Sequence, residues 1–449
     1  MSGLDPKLLG WIEEITGTPV SAVQELTGGA SRNSYIVTGQ SGKKSFLRLD
    51  AGHGPLSGTS FTLAREYAVL SQLQGNGLPV PRVLAFSAEH NAALMQFIPG
   101  YTSYQKIASE QEEAKLRRDL MIAVATLQRI DPRSLPVLGE HRASALGTAI
   151  PADLALWRLM YDERVTIRDP LVEFSLNWLG QSVPDADRPC VVVHGDVGPG
   201  NFLIADGEMQ ALIDWEMTRL GHPLEDVACI IARALGAPFG EAREHVDNYN
   251  EVAGASVDYR QLDYALSLVL SRWLVGILMA LSRPSAQQNV PMLFAFRQIN
   301  GLALIEALCR QNDIPVIDEP MHFRASDPCF SVFAYGRDYL TQLAAEPGGT
   351  AASSYKLKGV VDMMAYLQSF IAYGPERYER EDIDRIATVL RRPLSDAAEA
   401  NIAICEHARQ VAATDARPLL EYLLWRGLRE QAIMRTSLGA RKDNRIRYT

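Results

Sequence analysis

Cysteine is scarce in this sequence, which has only five among 449 residues. The five are scattered, and no two show the C-x-x-C spacing that is typical of zinc sites and redox motifs. The pattern therefore predicts neither a disulfide framework nor a structural zinc site, and we expect buried thiols in a reducing cytoplasm. The cysteines are Cys190, Cys229, Cys309, Cys329 and Cys405.

An excess of positive charge is also lacking. The chain has 44 Lys and Arg against 53 Asp and Glu, which gives a formal net charge of -9. Proteins that bind nucleic acids usually carry a basic patch, so a nucleic-acid partner is not expected. A diffuse acidic balance is compatible with a cationic substrate, but solubility alone would explain it.

No targeting pattern is evident at the start of the chain, where residues 1–10 lack a basic segment followed by an apolar one. The longest apolar run, Tyr264–Leu281, is nearly long enough to span a bilayer, but Arg272 lies in its middle. This pattern favours a buried core helix and no membrane association. The alternative, a membrane-bound protein, predicts that solubility depends on detergent.

Short β-like runs dominate the first part of the chain. Ser34–Thr38 and Lys44–Leu49 flank a turn and predict an antiparallel hairpin. Apolar residues at helical spacing follow from Leu63 to Leu73. A second β-like pair, Arg82–Phe86 and Ala92–Ile98, ends at a Pro-Gly hinge. The pattern therefore predicts a small β-rich N-terminal domain.

The remainder of the chain is mostly helical by pattern, with apolar residues at helical spacing over Gln111–Ile130 and Leu154–Leu179. One β-like segment, Cys190–Trp215, interrupts the helices and contains an Asp-Gly turn signal. The run Glu346–Ser354 reads as a linker before a further helical segment. The predicted fold class is α+β, and the predicted domains are residues 1–98, 99–345 and 355–449.

The inserted β segment carries the sharpest chemical signal. A strand leads into His194, Asp196 and then Asn201 across a Gly/Pro-rich loop, and Asp214 follows at the end of the next hairpin. Transfer of a phosphoryl group to an alcohol needs a base near the hydroxyl and magnesium on the phosphate oxygens. Carboxylate and amide oxygens are suitable magnesium ligands. Alternatively, Asp196 and Asn201 only satisfy a turn.

The runs H-G-D-V-G-P-G-N at 194–201 and L-I-D-W-E at 212–216 resemble the aminoglycoside phosphotransferase and choline kinase superfamily. The resemblance implies a bilobal protein-kinase-like fold, with a small β-rich N-lobe and a larger helical C-lobe. It implies that Asp196 is the catalytic base and that His194 supports the catalytic loop. Asn201 and Asp214 would hold Mg²⁺, with Glu216 as a further candidate near the metal or substrate.

The same resemblance implies that the N-lobe binds ATP. Gly28, Gly29 and Ser31 lie in a Gly-rich loop that fits neither the Walker A pattern nor G-x-G-x-x-G. Arg48 would replace the usual phosphate-binding Lys, and Glu66 would pair with it. An ordinary solvated strand and helix face is the alternative for these two residues.

The connection between the lobes should follow the last N-lobe strand. Gln96, Phe97 and Ile98 lie there, and their backbone would hydrogen-bond adenine. In the run L-G-H-P-L-E-D-V-A at 220–228, Asp226 resembles the family aspartate that braces the catalytic loop. His222 stands where that family usually has Asp, and we assign it no role.

The resemblance covers about residues 20–345 and is strongest to bacterial phosphotransferases and to the kinase domains fused to some acyl-CoA dehydrogenases. It leaves open whether the substrate is a hydroxyacyl-CoA, an aminoglycoside-like compound or an amino alcohol, and whether ATP or GTP is preferred. A nucleotide-binding pseudokinase that acts through its C-terminal helices is the alternative function.

Nothing in the resemblance covers residues 355–449, where amphipathic helices predict a small bundle that packs against the kinase or a second subunit as a homo-oligomer. One predicted apolar face includes Val360, Met364, Leu367 and Ile371. The basic end of the chain could reach an anionic substrate such as coenzyme A, but its composition favours a solvated tail.

Overall fold

The computed structural model describes residues 4–26, 32–50, 52, 56–103, 106–107, 109–139, 145–284, 289–316, 321, 330–345 and 351–448. Contacts divide the chain into two compact units. The first comprises residues 1–149, 185–257 and 447–449, and the second comprises residues 150–184 and 258–446. Residues of the predicted helical domain, 99–345, are therefore shared between the two units.

The first unit contains a five-stranded antiparallel sheet of order β1-β2-β3-β5-β4. The strands end within two residues of the two predicted β-like pairs, because β-branched and aromatic runs alternate with polar turns. Helix α1 packs Leu8 and Ile12 against Leu47 and Leu94 of this sheet. The strands and first helices are α1 (Pro6–Thr16), β1 (Val20–Leu26), β2 (Asn33–Gly39), β3 (Lys44–Leu49), α2 (Leu63–Leu73), β4 (Val83–Ser87) and β5 (Ala92–Gln96).

Two short strand pairs follow the sheet in the same unit. β7 and β8 form a hairpin whose turn residues, Asp206 and Gly207, both have positive φ, as a type I′ turn requires. β6 pairs with β9, which brings the strand before the Gly/Pro-rich loop beside the chain that follows the hairpin. The elements are α3 (Glu110–Gln128), β6 (Val191–Val193), β7 (Phe202–Ala205), β8 (Glu208–Leu212), β9 (Arg219–Gly221), α6 (Glu225–Ala234) and α7 (Ala242–Ala253).

The second unit is helical in the residues that the structure describes. The predicted helical run Leu154–Leu179 comprises parts of two helices, because the chain leaves the first helix after Arg164 and starts the second at Pro170. A residue before proline disfavours the helical region, and the Asp169 carboxylate caps the new helix. The helices are α4 (Leu146–Arg164), α5 (Pro170–Gln181), α8 (Tyr259–Ser282), α9 (Val290–Gln311), α10 (Phe330–Ala345), α11 (Ala351–Tyr373), α12 (Pro375–Leu390), α13 (Ala397–Gln410) and α14 (Arg417–Leu438).

Helices α8 and α9 are both long and apolar enough to cross a membrane by length and composition. In each, 72% of the most apolar window is buried inside the protein, and the core helix of a soluble protein passes the same test. In α8, Arg272 is buried and its Nη2 lies 2.7 Å from the Asp153 carboxylate. The apolar run is thus a largely buried helix, as the sequence predicts.

One expectation for the C-terminal region is wrong in part. The predicted linker Glu346–Ser354 is helical from Ala351 onward, and residues 346–350 lie outside the described residues. The predicted apolar face of α11 is partly solvent-facing, because Val360, Leu367 and Ile371 retain 43%, 44% and 42% exposure. The buried side chains of this helix include Ala365, Gln368 and Tyr373.

The expected solvated tail is also wrong at Arg445 and Ile446. The Arg445 side chain is only 6% exposed and forms an ion pair with Glu306 of α9, which is 2% exposed. Ile446 is 6% exposed, and the carbonyl of Lys442 accepts a hydrogen bond from Gln431 at 3.0 Å. Burial of an arginine requires a partner, and α9 supplies it.

Candidate active site

A buried carboxylate braces the loop that follows β6. The backbone N–H groups of His194 and Gly195 both donate to Asp226 of α6, at 2.9 Å each. His194 and Asp226 are both 0% exposed. Burial raises the pKa of Asp226, and nearby His194 and the two N–H donors oppose this shift. The contact agrees with the bracing role that the sequence predicts for Asp226.

Gly195 stands where protein kinases have arginine, and the structure explains why. Its φ is +82°, and a Cβ there would lie 2.2 Å from the Arg219 guanidinium and 2.6 Å from the Met217 carbonyl. Arg219 is held in that place by an ion pair with Glu225. A positive φ together with such close approach leaves room for glycine only.

We expect the substitution Gly195→Ala to destabilise the protein by about 2 kcal/mol or more, because the left-handed backbone and the steric clash both penalise a side chain. The matched control is Gly10→Ala in α1, where nothing lies within 4 Å of an added Cβ. Urea unfolding of the two variants measures the difference. Equal unfolding midpoints would contradict the packing described for Gly195.

His194 links the loop to the hairpin as a neutral imidazole. Its Nε2 donates to the Ile213 carbonyl at 3.1 Å, and its Nδ1 accepts the Asp196 N–H at 3.3 Å. The ring lies 4.4 Å from the Trp215 ring. Burial lowers the pKa of His194, although the carboxylates of Asp226 and Asp214 act to raise it. The residue therefore supports the loop and does not face solvent.

The Asp196 carboxylate lies at the surface of the loop that His194 and Asp226 hold in place. Its side chain is 24% exposed, and Oδ1 accepts from Arg233 at 2.6 Å. The Asn201 amide donates to both Oδ2 and the main-chain carbonyl of Asp196, at 2.7 Å each. Burial raises the pKa of Asp196 above its ordinary value, while Arg233 opposes that shift. An oriented and accessible carboxylate is what a general base requires.

Arg233 was not foreseen from the sequence. It lies on α6, and its Nε also donates to the Pro199 carbonyl at 2.9 Å, so it holds both the loop and the Asp196 carboxylate. A Cβ on Gly198 would lie 2.8 Å from the Arg233 side chain. No local motif marks this arginine, because the contact depends on how α6 packs against the loop.

The β7–β8 hairpin brings Asn201 and Asp214 to the same end. Phe202 pairs with Leu212 across the hairpin, and the Ile213 N–H donates to the Asn201 carbonyl at 3.0 Å. Asp214 adopts a left-handed backbone conformation with φ of 69° and keeps 31% of its side chain exposed. The two predicted metal ligands therefore lie next to each other across the hairpin.

Arg48 connects the five-stranded sheet to the hairpin. Its Nη1 lies 2.5 Å from Glu66 of α2, and its Nη2 lies 3.1 Å from Asp214. The pair expected between Arg48 and Glu66 thus forms. Burial acts to raise the pKa of Asp214, but Arg48 outweighs it, so that this pKa lies below its ordinary value. Asp214 is therefore ionised at neutral pH.

A second arginine, which the sequence analysis left without a role, completes the cluster. Arg32 is 5% exposed and lies 3.2 Å from Asp50, 3.4 Å from Glu66 and 3.2 Å from Glu216. Burial, with the charges of Asp214 and Glu66 next, raises the pKa of Glu216 to about 7. The arginine in the run S-R-N is the only sequence feature that could have indicated this cluster, because the acidic partners of Arg32 are distant in sequence.

Other predicted nucleotide contacts are less informative. Gly28, Gly29 and Ser31 lie outside the described residues. The N–H of Gln96 donates to the Arg82 carbonyl at 2.8 Å, so this donor is already used within the sheet. Phe97 lies under the Lys44 ammonium, 5.5 Å from the ring centroid. Phe97 and Ile98 follow β5 directly, as a connecting segment would.

His222, which replaces an aspartate of the related motif, is a buried structural residue. It is 0% exposed, its N–H donates to Glu225 at 2.7 Å, and its Nδ1 accepts the Leu224 N–H at 3.1 Å. Burial lowers its pKa to about 4. It is therefore neutral and stabilises the turn before α6.

Comparison with known proteins decides the family. The model of the phosphotransferase enzyme family matches residues 22–263, more than half of the chain. The chain belongs to the phosphotransferase enzyme family. A structure from Ralstonia eutropha assigned to the aminoglycoside phosphotransferases is 21% identical with a TM-score of 0.52, covering 66% of this chain and 96% of that one. The kinase-like fold that the sequence predicts, with a C-terminal helical extension, is thereby confirmed.

Sequence relatives of two kinds are found. Acyl-CoA dehydrogenase family member 11 of Gallus gallus is 26% identical over 217 residues, covering 46% of this chain and 27% of that protein. An aminoglycoside 3'-phosphotransferase of Enterococcus faecalis is 23% identical over 251 residues, covering 55% of this chain and 91% of that enzyme. The match therefore spans about a quarter of the dehydrogenase relative but most of the antibiotic phosphotransferase.

Proposed function

We propose that this protein is an ATP- and magnesium-dependent O-phosphotransferase that acts on a hydroxyl group of a small molecule. The main support for the proposal is that Asp196, Asn201 and Asp214 lie together at one end of the β7–β8 hairpin. The residues that hold the loop, His194 and Asp226, are fully buried. Family membership supports the phosphotransferase class, while the nucleotide, the metal and the acceptor belong to this proposal.

The residues present fit a magnesium ion. Asn201 uses its amide nitrogen on Asp196, which leaves its amide oxygen as one ligand atom, and the ionised Asp214 carboxylate would supply another. Among the residues that the structure describes, no three His, Cys, Asp or Glu cluster as a metal site. Magnesium commonly takes only one or two protein ligands and completes its shell with phosphate oxygens and water. When bound, it would neutralise charge on the transferring phosphoryl group.

Each of the site residues then has a separate role in the proposed reaction. Asp196 accepts the proton of the acceptor hydroxyl, and Asn201 and Arg233 fix the direction of its carboxylate. Arg48, held by Glu66, is the cation that would contact the nucleotide phosphates. His194 and Asp226 keep the loop rigid, so that the carboxylate stays within reach of a bound hydroxyl.

Arg233 provides a test of the electrostatics at the base. We expect Arg233→Met to lower kcat/KM by about 100-fold through misorientation. Because the arginine opposes the burial that raises the pKa of Asp196, its loss moves that pKa higher still. A base must be ionised, so the acidic limb of the pH profile should shift to higher pH. An unchanged acidic limb would contradict the role of Arg233.

The substrate is tested by measuring ADP release from ATP in the presence of hydroxylated candidates. The two kinds of sequence relative suggest hydroxyacyl-CoA thioesters and aminoglycosides as the first classes to compare. Acceptor-dependent release with one class supports the proposal and defines its substrate. If nucleotide binds and no acceptor of any class stimulates release, the alternative of a nucleotide-binding pseudokinase gains support instead.

A further inference from the structure

The second unit contains a cavity that lies outside the family match. It has a volume of about 410 Å³ and is formed by the start of α9, the middle of α11 and the end of α14. These elements all follow residue 263, where the family match ends. Cavities that hold small organic ligands typically measure about 300–1,000 Å³. The cavity is therefore large enough for a ligand of its own.

The walls of the cavity are mainly apolar. Met292, Met363, Met434 and Leu438 line it, and the exposed Leu367 stands at its rim. Methionine side chains are unbranched and polarizable, so they adapt to ligands of varied shape. A surface built this way suits a flexible hydrocarbon chain more than a rigid polar molecule.

The polar part of the lining includes three charged side chains. Lys358 and Asp362 lie one turn apart on α11, and Arg441 follows α14. Lys358 and Arg441 both act to lower the pKa of Asp362, while burial has the larger effect and raises it. Two cations thus face one carboxylate. Within the described ranges, neither cation forms an ion pair of its own, and Arg441 instead lies 5.8 Å from the Phe296 ring centroid.

We propose that this cavity binds an amphipathic anion, whose hydrocarbon chain lies among the methionines and whose single negative head group contacts Lys358 and Arg441. Charge complementarity argues for an anion, because the lining carries one net positive charge. Apolar burial of the chain would supply most of the binding free energy, and the head group would give direction.

Decanoate is the probe that tests the site, measured by isothermal titration on the full chain below micelle-forming concentrations. We expect saturable binding by the unmodified protein and no comparable binding of decyltrimethylammonium, which has the same chain but the opposite charge. Absence of decanoate binding, or equal binding of the two probes, would overturn the proposal. The measurement uses no catalytic activity, so its failure is independent of the proposed phosphotransferase function.

Variants of the charged lining sharpen the test. The double variant Lys358→Gln/Arg441→Gln should weaken decanoate binding by about tenfold or more, the scale of a lost charge-assisted contact. The matched control is Arg435→Gln on α14, an arginine that pairs with Asp443 at 2.9 Å and does not line the cavity. Asp362→Asn should strengthen binding, a gain that misfolding cannot produce. Equal affinity in all variants would contradict the assigned head-group contacts.

Discussion

Replacement of Asp196 by asparagine is expected to reduce turnover by about a thousandfold, within the range that general-base catalysis contributes. The amide keeps the shape of the side chain and can still accept from Arg233, but it cannot take the proton of an acceptor hydroxyl. Binding of ATP should change little, because Asp196 is not among the predicted nucleotide ligands. Steady-state ADP release and nucleotide titration measure the two effects separately.

The matched control for this variant is Asp206→Asn. Asp206 is exposed at the tip of the β7–β8 hairpin, which follows the Asp196 loop, and has φ of 51°, a conformation that asparagine also tolerates. This control should retain full turnover. Full activity in the Asp196 variant would exclude that residue as the base, and equal losses in both variants would point to a disturbed hairpin.

The second large effect is expected from Asp214→Ala. In the unmodified protein we expect magnesium to tighten ATP binding by about tenfold or more, because Asp214 would help to hold the metal, which would neutralise charge on the nucleotide phosphates. The variant loses the ionised ligand, so ATP affinity should depend much less on magnesium. Titration of ATP at several magnesium concentrations measures this directly.

An exposed aspartate gives the control for the metal ligand. Asp247 on α7 is 66% exposed, and its contact with Arg243 is long, at 3.8 Å. Asp247→Ala should leave the magnesium dependence of ATP binding intact. If Asp214→Ala showed the same dependence as Asp247→Ala, the metal-site assignment would be wrong.

The loop chemistry could be predicted from sequence because its parts are close together along the chain. The spacing from His194 through Asp196 to Asn201 is set by one strand and one loop, and Asp214 follows a hairpin with a recognisable turn. Local propensity therefore determines which side chains reach the same edge. The Arg48–Glu66 pair was foreseen only through the family resemblance.

The second layer of the site could not be predicted, since it depends on contacts between distant elements. Arg233 contacts Asp196 although it lies 37 residues later in the sequence, and Arg32 forms an ion pair with Glu216, which is also distant in sequence. Each arginine alone looks like a solvated surface charge. Only the packing of α6 and α2 turns them into partners of buried or half-buried carboxylates.

In the C-terminal region, the hydrophobic pattern of the sequence does not predict which residues are buried. An apolar stripe on α11 predicts burial, yet Val360 and Ile371 remain partly exposed, and Leu367 stands at the rim of a cavity. The basic composition at the end of the chain predicts a solvated tail, yet Arg445 forms an ion pair with Glu306. Helical periodicity identifies an apolar face but not the partner that covers it.

The most direct test of the central claim is the thermal unfolding midpoint of the full chain with ATP, measured with and without magnesium. A ligand that binds only the folded state raises the midpoint, and at a given concentration a tighter ligand raises it more. The site described above predicts a rise of several degrees with ATP and magnesium together, and a clearly smaller rise with ATP alone. No shift with ATP or GTP, in either condition, would contradict the assignment of a phosphotransferase site to this protein.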